Sequence, residues 1–170
     1  MISLEPISAQ LVGHFRAARL AALEDTPTAF GSTLAKESQL SEQDWLQRVY
    51  TWNGSLSVCY IAMDEASPCG IAAGKCDDKA PQRAYLLSMW VAPAYRRSGL
   101  GTRLVNAVEE WVQNLGVREL RLRVTSKNSA AIRFYEGCGF VMTGETGPYL
   151  NDPALFEYEM AKSLGDLRSR

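Results

Sequence analysis

The residues whose types and spacing best suit chemistry lie in Met89-Trp90-Val91-Ala92-Pro93-Ala94-Tyr95-Arg96-Arg97-Ser98-Gly99-Leu100-Gly101-Thr102, a strand-like run that passes through a glycine turn into a helical pattern. Glycines at 99 and 101 let backbone approach a ligand closely, and the unpaired N–H groups that open a helix favour negative charge. Arg96 and Arg97 add cations beside those amides, so the natural guest is a diphosphate. Two familiar phosphate loops do not fit. Gly99-Leu100-Gly101-Thr102-Arg103-Leu104 ends in Leu where the dinucleotide fingerprint has Gly, and no Lys follows Gly101 as a Walker loop requires. Gly70 and Gly74, ahead of Lys75, are one residue too close for a Walker loop, and Cys76 replaces its Ser or Thr. That stretch reads as a strand. The only histidine, His14, sits in a helix-like stretch, and Cys59, Cys69, Cys76 and Cys138 form no CxxC pair, so no metal site is expected and the thiols read as reduced and mostly buried.

Elements must hold these residues in place. Ile2 to Glu5 reads as a short strand, and from Ser8, an N-cap residue type, Leu11, Phe15, Ala18 and Ala22 recur at helical spacing until Pro27. Ser41 and Asp44 imitate a capping box ahead of a second helix with Trp45, Val49 and Trp52 on one face. Leu56 to Met63, Gly70 to Lys75 and Ala84 to Val91 read as three strands joined by polar turns, which suits antiparallel hairpins. Leu100, Leu104, Ala107, Val108, Trp111 and Leu115 form a helical stripe that stops at Gly116. Leu120, Leu122 and Val124 then alternate with Glu119, Arg121 and Arg123, as in a half-buried strand. A helix over Asn128 to Gly137, a strand at Phe140 to Thr143, a Gly/Pro-rich loop from Gly144 to Pro153 and a strand over Leu155 to Met160 complete the order. The predicted fold is α+β, with about seven strands and about four helices. Its central sheet is mainly antiparallel, with one parallel crossover between the strands at 84–91 and 119–124.

The 170 residues, 46% hydrophobic and 22% charged, can build a core without a metal or disulfide staple and exclude disordered, collagen-like and coiled-coil readings. No repeat or linker divides the chain, so a single domain over 1–162 is expected, with 163–170 as a frayed tail. Eighteen Lys and Arg against nineteen Asp and Glu leave a charge of -1 and no long-range attraction for nucleic acid or anionic membrane. Any anion site must be local. No apolar run approaches the ~20 residues of a membrane span and the opening residues lack signal-peptide character, so a cytoplasmic location is expected.

Arg96-Arg97-Ser98-Gly99-Leu100-Gly101 fits the pattern Arg/Gln-x-x-Gly-x-Gly/Ala and, following Trp90-Val91-Ala92-Pro93, resembles the acyl-coenzyme A binding loop of the GNAT N-acetyltransferase superfamily. Asn128-Ser129-Ala130-Ala131-Ile132-Arg133-Phe134-Tyr135-Glu136-Gly137-Cys138-Gly139-Phe140 is similar to that superfamily's Asn-x-x-Ala-x-x-x-Tyr-x-x-x-Gly-Phe segment, and the element order matches over residues 2 to 160. The resemblance implies a GNAT-like fold with a bulge that splays the parallel pair, and acetyl-CoA as acyl donor. It places the pantetheine arm along Met89, Trp90 and Val91, and the diphosphate on Arg96, Arg97, Ser98, Gly99, Leu100, Gly101 and Thr102. Asn128 would bond the pantetheine region, Ala131 and Phe134 would line the wall beside Tyr135, and Lys127 or Arg133 would meet the nucleotide's extra phosphate. Tyr135 resembles the general acid that protonates the leaving thiolate.

Some members carry a carboxylate base on the fourth strand, but Ala84 to Val91 contains none. Glu24, Asp25, Glu37 and Asp152 are then candidates for a base acting through water, while an acceptor with a lowered amine pKa would need none. In this architecture the connection around Thr26 to Glu37 and the late loop flank the acceptor cleft, which makes Phe30, Glu37 and Tyr149 candidate acceptor contacts, with core packing or loop surface as the alternative for each. The expected function is transfer of an acetyl group from acetyl-CoA to a primary amine of a small molecule or peptide, by direct attack in a ternary complex. The alternative is a non-catalytic acyl-CoA binding or sensing module. Neither a nucleic acid nor a membrane partner is expected. Dimerisation is common in the superfamily, so a homodimer is compatible with the sequence, although no stretch marks an interface.

Overall fold

The computed structural model describes residues 1–165. Its elements are β1 (Ile2–Pro6), α1 (Val12–Asp25), α2 (Leu34–Glu37), α3 (Glu42–Trp52), β2 (Ser57–Asp64), β3 (Ser67–Asp77), β4 (Ala80–Val91), α4 (Leu100–Asn114), β5 (Glu119–Thr125), α5 (Ser129–Gly137), β6 (Val141–Pro148) and β7 (Phe156–Ser163). The capping box is real: the Asp44 N–H donates to Ser41 Oγ at 3.1 Å and the Ser41 N–H to Asp44 Oδ2 at 2.8 Å. The count of helices rises from four to five because α2 is a single turn, capped by Thr33 and too short for a periodic signal.

The seven strands form one sheet in the order β1-β2-β3-β4-β5-β7-β6. Only β4 and β5 run parallel, and they pair from Arg83 with Glu119 to Tyr85 with Arg121 and no farther. On the other side of β4, Ile71 faces Trp90 while Ala73 faces Leu87, so Ser88 and Met89 together stand opposite Ala72. This bulge, with Ser88 at φ 52°, bends β4 away from β5.

Alternation along the strands sends side chains to two cores. Ala62, Ala72, Leu86, Leu120, Leu122 and Val124 pack with α4 and α5 on one face. Ile61, Ile71, Ala73 and Trp90 pack with α1 and α3 on the other.

Two sequence expectations need correction. The Gly/Pro-rich stretch from 144 is not loop throughout, because β6 resumes pairing with β7 beyond a register shift, Thr146 against Tyr158 and Pro148 against Phe156. Pro148 is tolerated there since β6 is the sheet edge. The tail expected to fray from 163 is held at its start: β7 reaches Ser163, and buried Leu164 donates its N–H to the Arg118 carbonyl at 2.8 Å. Residues 166–170 lie outside the described residues.

Candidate active site

Where β4 and β5 part, a cavity of about 790 Å³ opens between them. From Leu86 onward the β5-facing edge of β4 pairs with no strand, so its backbone N–H and C=O groups run along the cavity wall. The expected contacts Met89, Trp90 and Val91 all line it.

One end of the cavity is the start of α4. Gly99 caps this helix at φ 85°, a left-handed conformation that a side chain would strain. The first-turn amides point out of the helix beside Gly99, Gly101 and Thr102, all of which line the cavity. Gly101 is also a matter of space, for a Cβ there would stand 3.0 Å from the Phe134 ring.

The two neighbouring arginines have different tasks. Arg96 donates from Nε to the Val91 carbonyl at 3.0 Å and pairs through Nη2 with Asp25, which also accepts from Trp90 Nε1 at 2.9 Å. Arg97, at φ 59°, is exposed at the cavity and has no ion pair among the described residues. Of the two neighbours, Arg97 is therefore the one without a carboxylate partner among the described residues. Ser98 and Leu100 do not line the cavity: Ser98 Oγ donates to the Tyr95 carbonyl at 2.5 Å, and the Leu100 side chain belongs to the core.

α5 supplies another wall. Asn128 Oδ1 accepts from the Ala131 N–H at 3.2 Å and caps the helix, which leaves its amide NH2 as the group free to meet a ligand. Ala131, Phe134 and Tyr135 follow along the cavity. Tyr135 is 9% exposed, with its ring tilted against Phe134 at 5.3 Å and edge-on to Phe140 at 5.9 Å. Burial drives its phenol well above the usual range, with Cys138 adding to the effect, so the group holds its proton. Its hydroxyl makes no hydrogen bond among the described residues. Lys127 and Arg133, expected near the extra phosphate, are exposed and lie outside the cavity lining.

The opposite face presents Arg19, Phe30, Trp52, Tyr85, Leu87 and Glu157. Of the three expected acceptor contacts, only Phe30 lines the cavity. Glu37 is buried behind it, where both its oxygens are held by Arg19 at 2.9 and 3.0 Å and Arg48 adds an ion pair at 3.0 Å. Burial opposes its charge, but the two guanidinium groups and Ser32 outweigh it and hold the carboxyl below the usual range. The Arg19 guanidinium so fixed stacks on Phe30 at 4.8 Å and donates to Ser88 Oγ, in the β4 bulge, at 3.2 Å. Tyr149 is also buried behind the wall, and its hydroxyl donates to the Phe30 carbonyl at 2.7 Å. Glu37 and Tyr149 thus brace Arg19 and Phe30 from behind without lining the cavity.

None of the four carboxylates considered as a base lines the cavity. Glu24 is exposed, Asp25 serves Trp90 and Arg96, Glu37 is saturated, and Asp152 accepts from the Ala154 N–H at 2.9 Å. The one carboxylate in the cavity lining is Glu157 on β7. Burial raises its pKa, partly offset by Arg123. Sequence reasoning missed Glu157 and Arg19. Glu157 reaches the site only through its register opposite Thr125, and Arg19 is a charge on the buried face of α1 whose partner, Glu37, lies 18 positions away.

Residues 20–140 match the family model described as Acetyltransferase (GNAT) family. The chain belongs to the GNAT family. Among GNAT relatives, N-acetyltransferase family 8 member 3 of Mus musculus is 34% identical over 131 residues, which are 69% of this chain and 56% of that protein. The chain spans about half the length of the curated relatives it matches. A GNAT acetyltransferase structure from Streptococcus pneumoniae superposes with a TM-score of 0.76 at 22% identity, covering 97% of this chain and all of that one. The PaiA N-acetyltransferase of Thermoplasma acidophilum, solved in complex with coenzyme A, gives 0.74 at 20% identity over 96% and 99% of the two chains. At such identities the likeness is one of fold. Among the described residues no helix is long and apolar enough to cross a membrane.

Proposed function

We propose that this GNAT protein transfers an acetyl group from acetyl-CoA to a primary amine of a small molecule or peptide, by direct attack while both substrates are bound, with Tyr135 as the general acid. The observation that carries the reading is the Tyr135 phenol: it stands in the cavity wall, keeps its proton and has no hydrogen-bond partner among the described residues. A phenol that stays protonated and unpartnered has its O–H available to a ligand entering the cavity, first as a hydrogen-bond donor to the sulfur and then, as charge develops on that sulfur, as its proton source.

The rest of the cavity fits the donor. The open edge of β4 offers amide groups to an arm that itself carries amides, while the first turn of α4 and Arg97 suit a diphosphate. Acetyl-CoA supplies an acyl group activated as a thioester. The chain's own residues do the remainder. Met89 to Val91 and the Asn128 amide hold the arm, and Gly99 to Thr102 hold the anionic end. As the amine nitrogen bonds to the acetyl carbon and the carbon–sulfur bond breaks, Tyr135 delivers its proton to the leaving sulfur; the proton lost by the nitrogen passes to water, from which Tyr135 is reprotonated. Arg19 and Phe30, braced by Glu37 and Tyr149, shape the side from which the amine arrives.

Thiol release from acetyl-CoA, measured with a panel of primary amines against a control without amine, tests the reading. Amine-dependent release is expected. Tight acetyl-CoA binding with no amine-dependent release would replace the enzyme by an acyl-CoA binding module.

A further inference from the structure

The acceptor face of the cavity carries two charged side chains that the mechanism leaves unused, Arg123 on β5 and Glu157 on β7. Because Leu122 and Val124 point into the core beside α4, Arg123 and Thr125 face the side of the sheet that carries α1 and α3. Glu157 stands opposite Thr125 in the antiparallel register and shares that face. Arg19 is on the same side, but Glu37 already satisfies its charge.

Arg123 is a second cation at the cavity, beside Arg97, that has no close carboxylate partner among the described residues. Its side chain is 47% exposed, it donates no hydrogen bond among the described residues, and its ionic contact with Glu159 is a loose 3.9 Å. Glu159 has closer partners, Arg121 Nη1 at 2.7 Å and Thr143 Oγ1 at 3.2 Å. The guanidinium rests on Gly147 of β6, where a Cβ would come within 2.3 Å of Nη1, so the glycine makes room for it. Arg123 and Glu157 share the cavity without forming an ion pair among the described residues. Each is left to meet an opposite charge from a ligand. Gly147 and Glu157 both lie beyond the 20–140 stretch that matches the family model.

Resting on the acetyltransferase reading above, the geometry points to a zwitterionic acceptor, a primary amine that also bears a carboxylate, with the carboxylate held by Arg123 and the amine facing Glu157. A guanidinium presents paired N–H groups that match a carboxylate, and a charge-assisted pair in a half-enclosed site discriminates strongly against a neutral analogue. A polycationic acceptor would instead meet one carboxylate and an unpaired cation. Phe30, Trp52 and Leu87 give the space between an apolar lining, which suits the side chain of an amino acid.

The test compares amino acids with their carboxamides, L-leucine with L-leucinamide and L-phenylalanine with L-phenylalaninamide, by kcat/KM in the full-length protein. Amidation also changes amine basicity, so the quantity read is the acid-to-amide ratio in the wild type relative to that in R123Q, from which basicity cancels. The ratio is expected to fall by about 10- to 100-fold in R123Q, with the KM for acetyl-CoA unmoved. E157Q is expected to lower kcat/KM for acid and amide together. A ratio unchanged in R123Q, or changed equally by E157Q, overturns the inference and leaves the acetyltransferase reading intact. Absence of thiol release with every amine overturns both.

Discussion

Replacing Tyr135 by Phe removes one oxygen and leaves the ring contacts with Phe134 and Phe140 in place. Because that oxygen makes no hydrogen bond among the described residues, no protein partner is orphaned, and stability should change by no more than about 0.5 kcal/mol. Turnover should respond far more. General acid catalysis contributes roughly 10²- to 10⁴-fold, but a thiol has a pKa of about 8.5 and leaves tolerably as thiolate, which moves the expected loss to about 10- to 1000-fold. That is about 1.4 to 4 kcal/mol of barrier. The affinity for acetyl-CoA should stay close to that of the wild type, since the phenol would act on the leaving sulfur rather than on the diphosphate or the arm. Burial keeps the phenol protonated beyond the usual range, so the ratio of wild-type to variant rate should hold constant through about pH 10, where an ordinary phenol would be half ionised. The assay is single-turnover thiol release with both substrates saturating, so that product release does not mask chemistry. Equal rates for the two proteins in that assay would refute the assignment, as would a large loss of acetyl-CoA affinity in the variant.

Three further outcomes follow from the same contacts. Glu37→Gln leaves the buried Arg19 guanidinium without its carboxylate and should cost about 3 kcal/mol in urea unfolding. The folded-state pKa of Glu37 is depressed, so this stabilisation is present above the unfolded value near 4.5 and is lost as pH falls through the lower folded value; wild type and variant should converge in acid. Gly101→Ala pushes a methyl to 3.0 Å from Phe134, and isothermal titration should show acetyl-CoA affinity reduced several-fold, whereas an affinity equal to wild type would remove that glycine from the binding account. Under a thiol reagent at pH 8, half-buried Cys138 should be modified before Cys59, whose thiol burial pushes up to about 12 and which should react only on unfolding.

Residues that act through their own neighbours in the chain were legible in the sequence. The glycine-opened start of α4 is local: Gly99 and Gly101 act through backbone geometry within a few residues, and the spacing alone points to it. Asn128 and Tyr135 lie two turns apart on one helix, so the segment that contains them keeps its meaning in one dimension. Even there the structure divided what the sequence had grouped. Arg96 is drawn off by Asp25, 71 positions away, while Arg97 keeps no ion pair among the described residues. Glu37 and Tyr149, read as acceptor contacts from their place in the chain order, stand one layer behind Phe30 because Arg19 and the Phe30 carbonyl claim their polar atoms.

The sequence by itself determined the elements, their order, the glycine-opened start of α4 and the placing of Asn128 and Tyr135 on α5, because each depends on periodicity, turn chemistry or a spacing of a few residues. Tertiary structure alone decided where the two strands part and what faces the gap. The splay depends on a one-residue slip between β3 and β4 at Ser88, and no local pattern announces it. The placing of Arg123 and Glu157 at the cavity depends on the register of β5 against β7, which brings Glu157 opposite Thr125 across 32 positions of chain and leaves Arg123 bedded on Gly147. Register is fixed by the sum of many cross-strand contacts, and a shift of one residue would turn both charges to the other face.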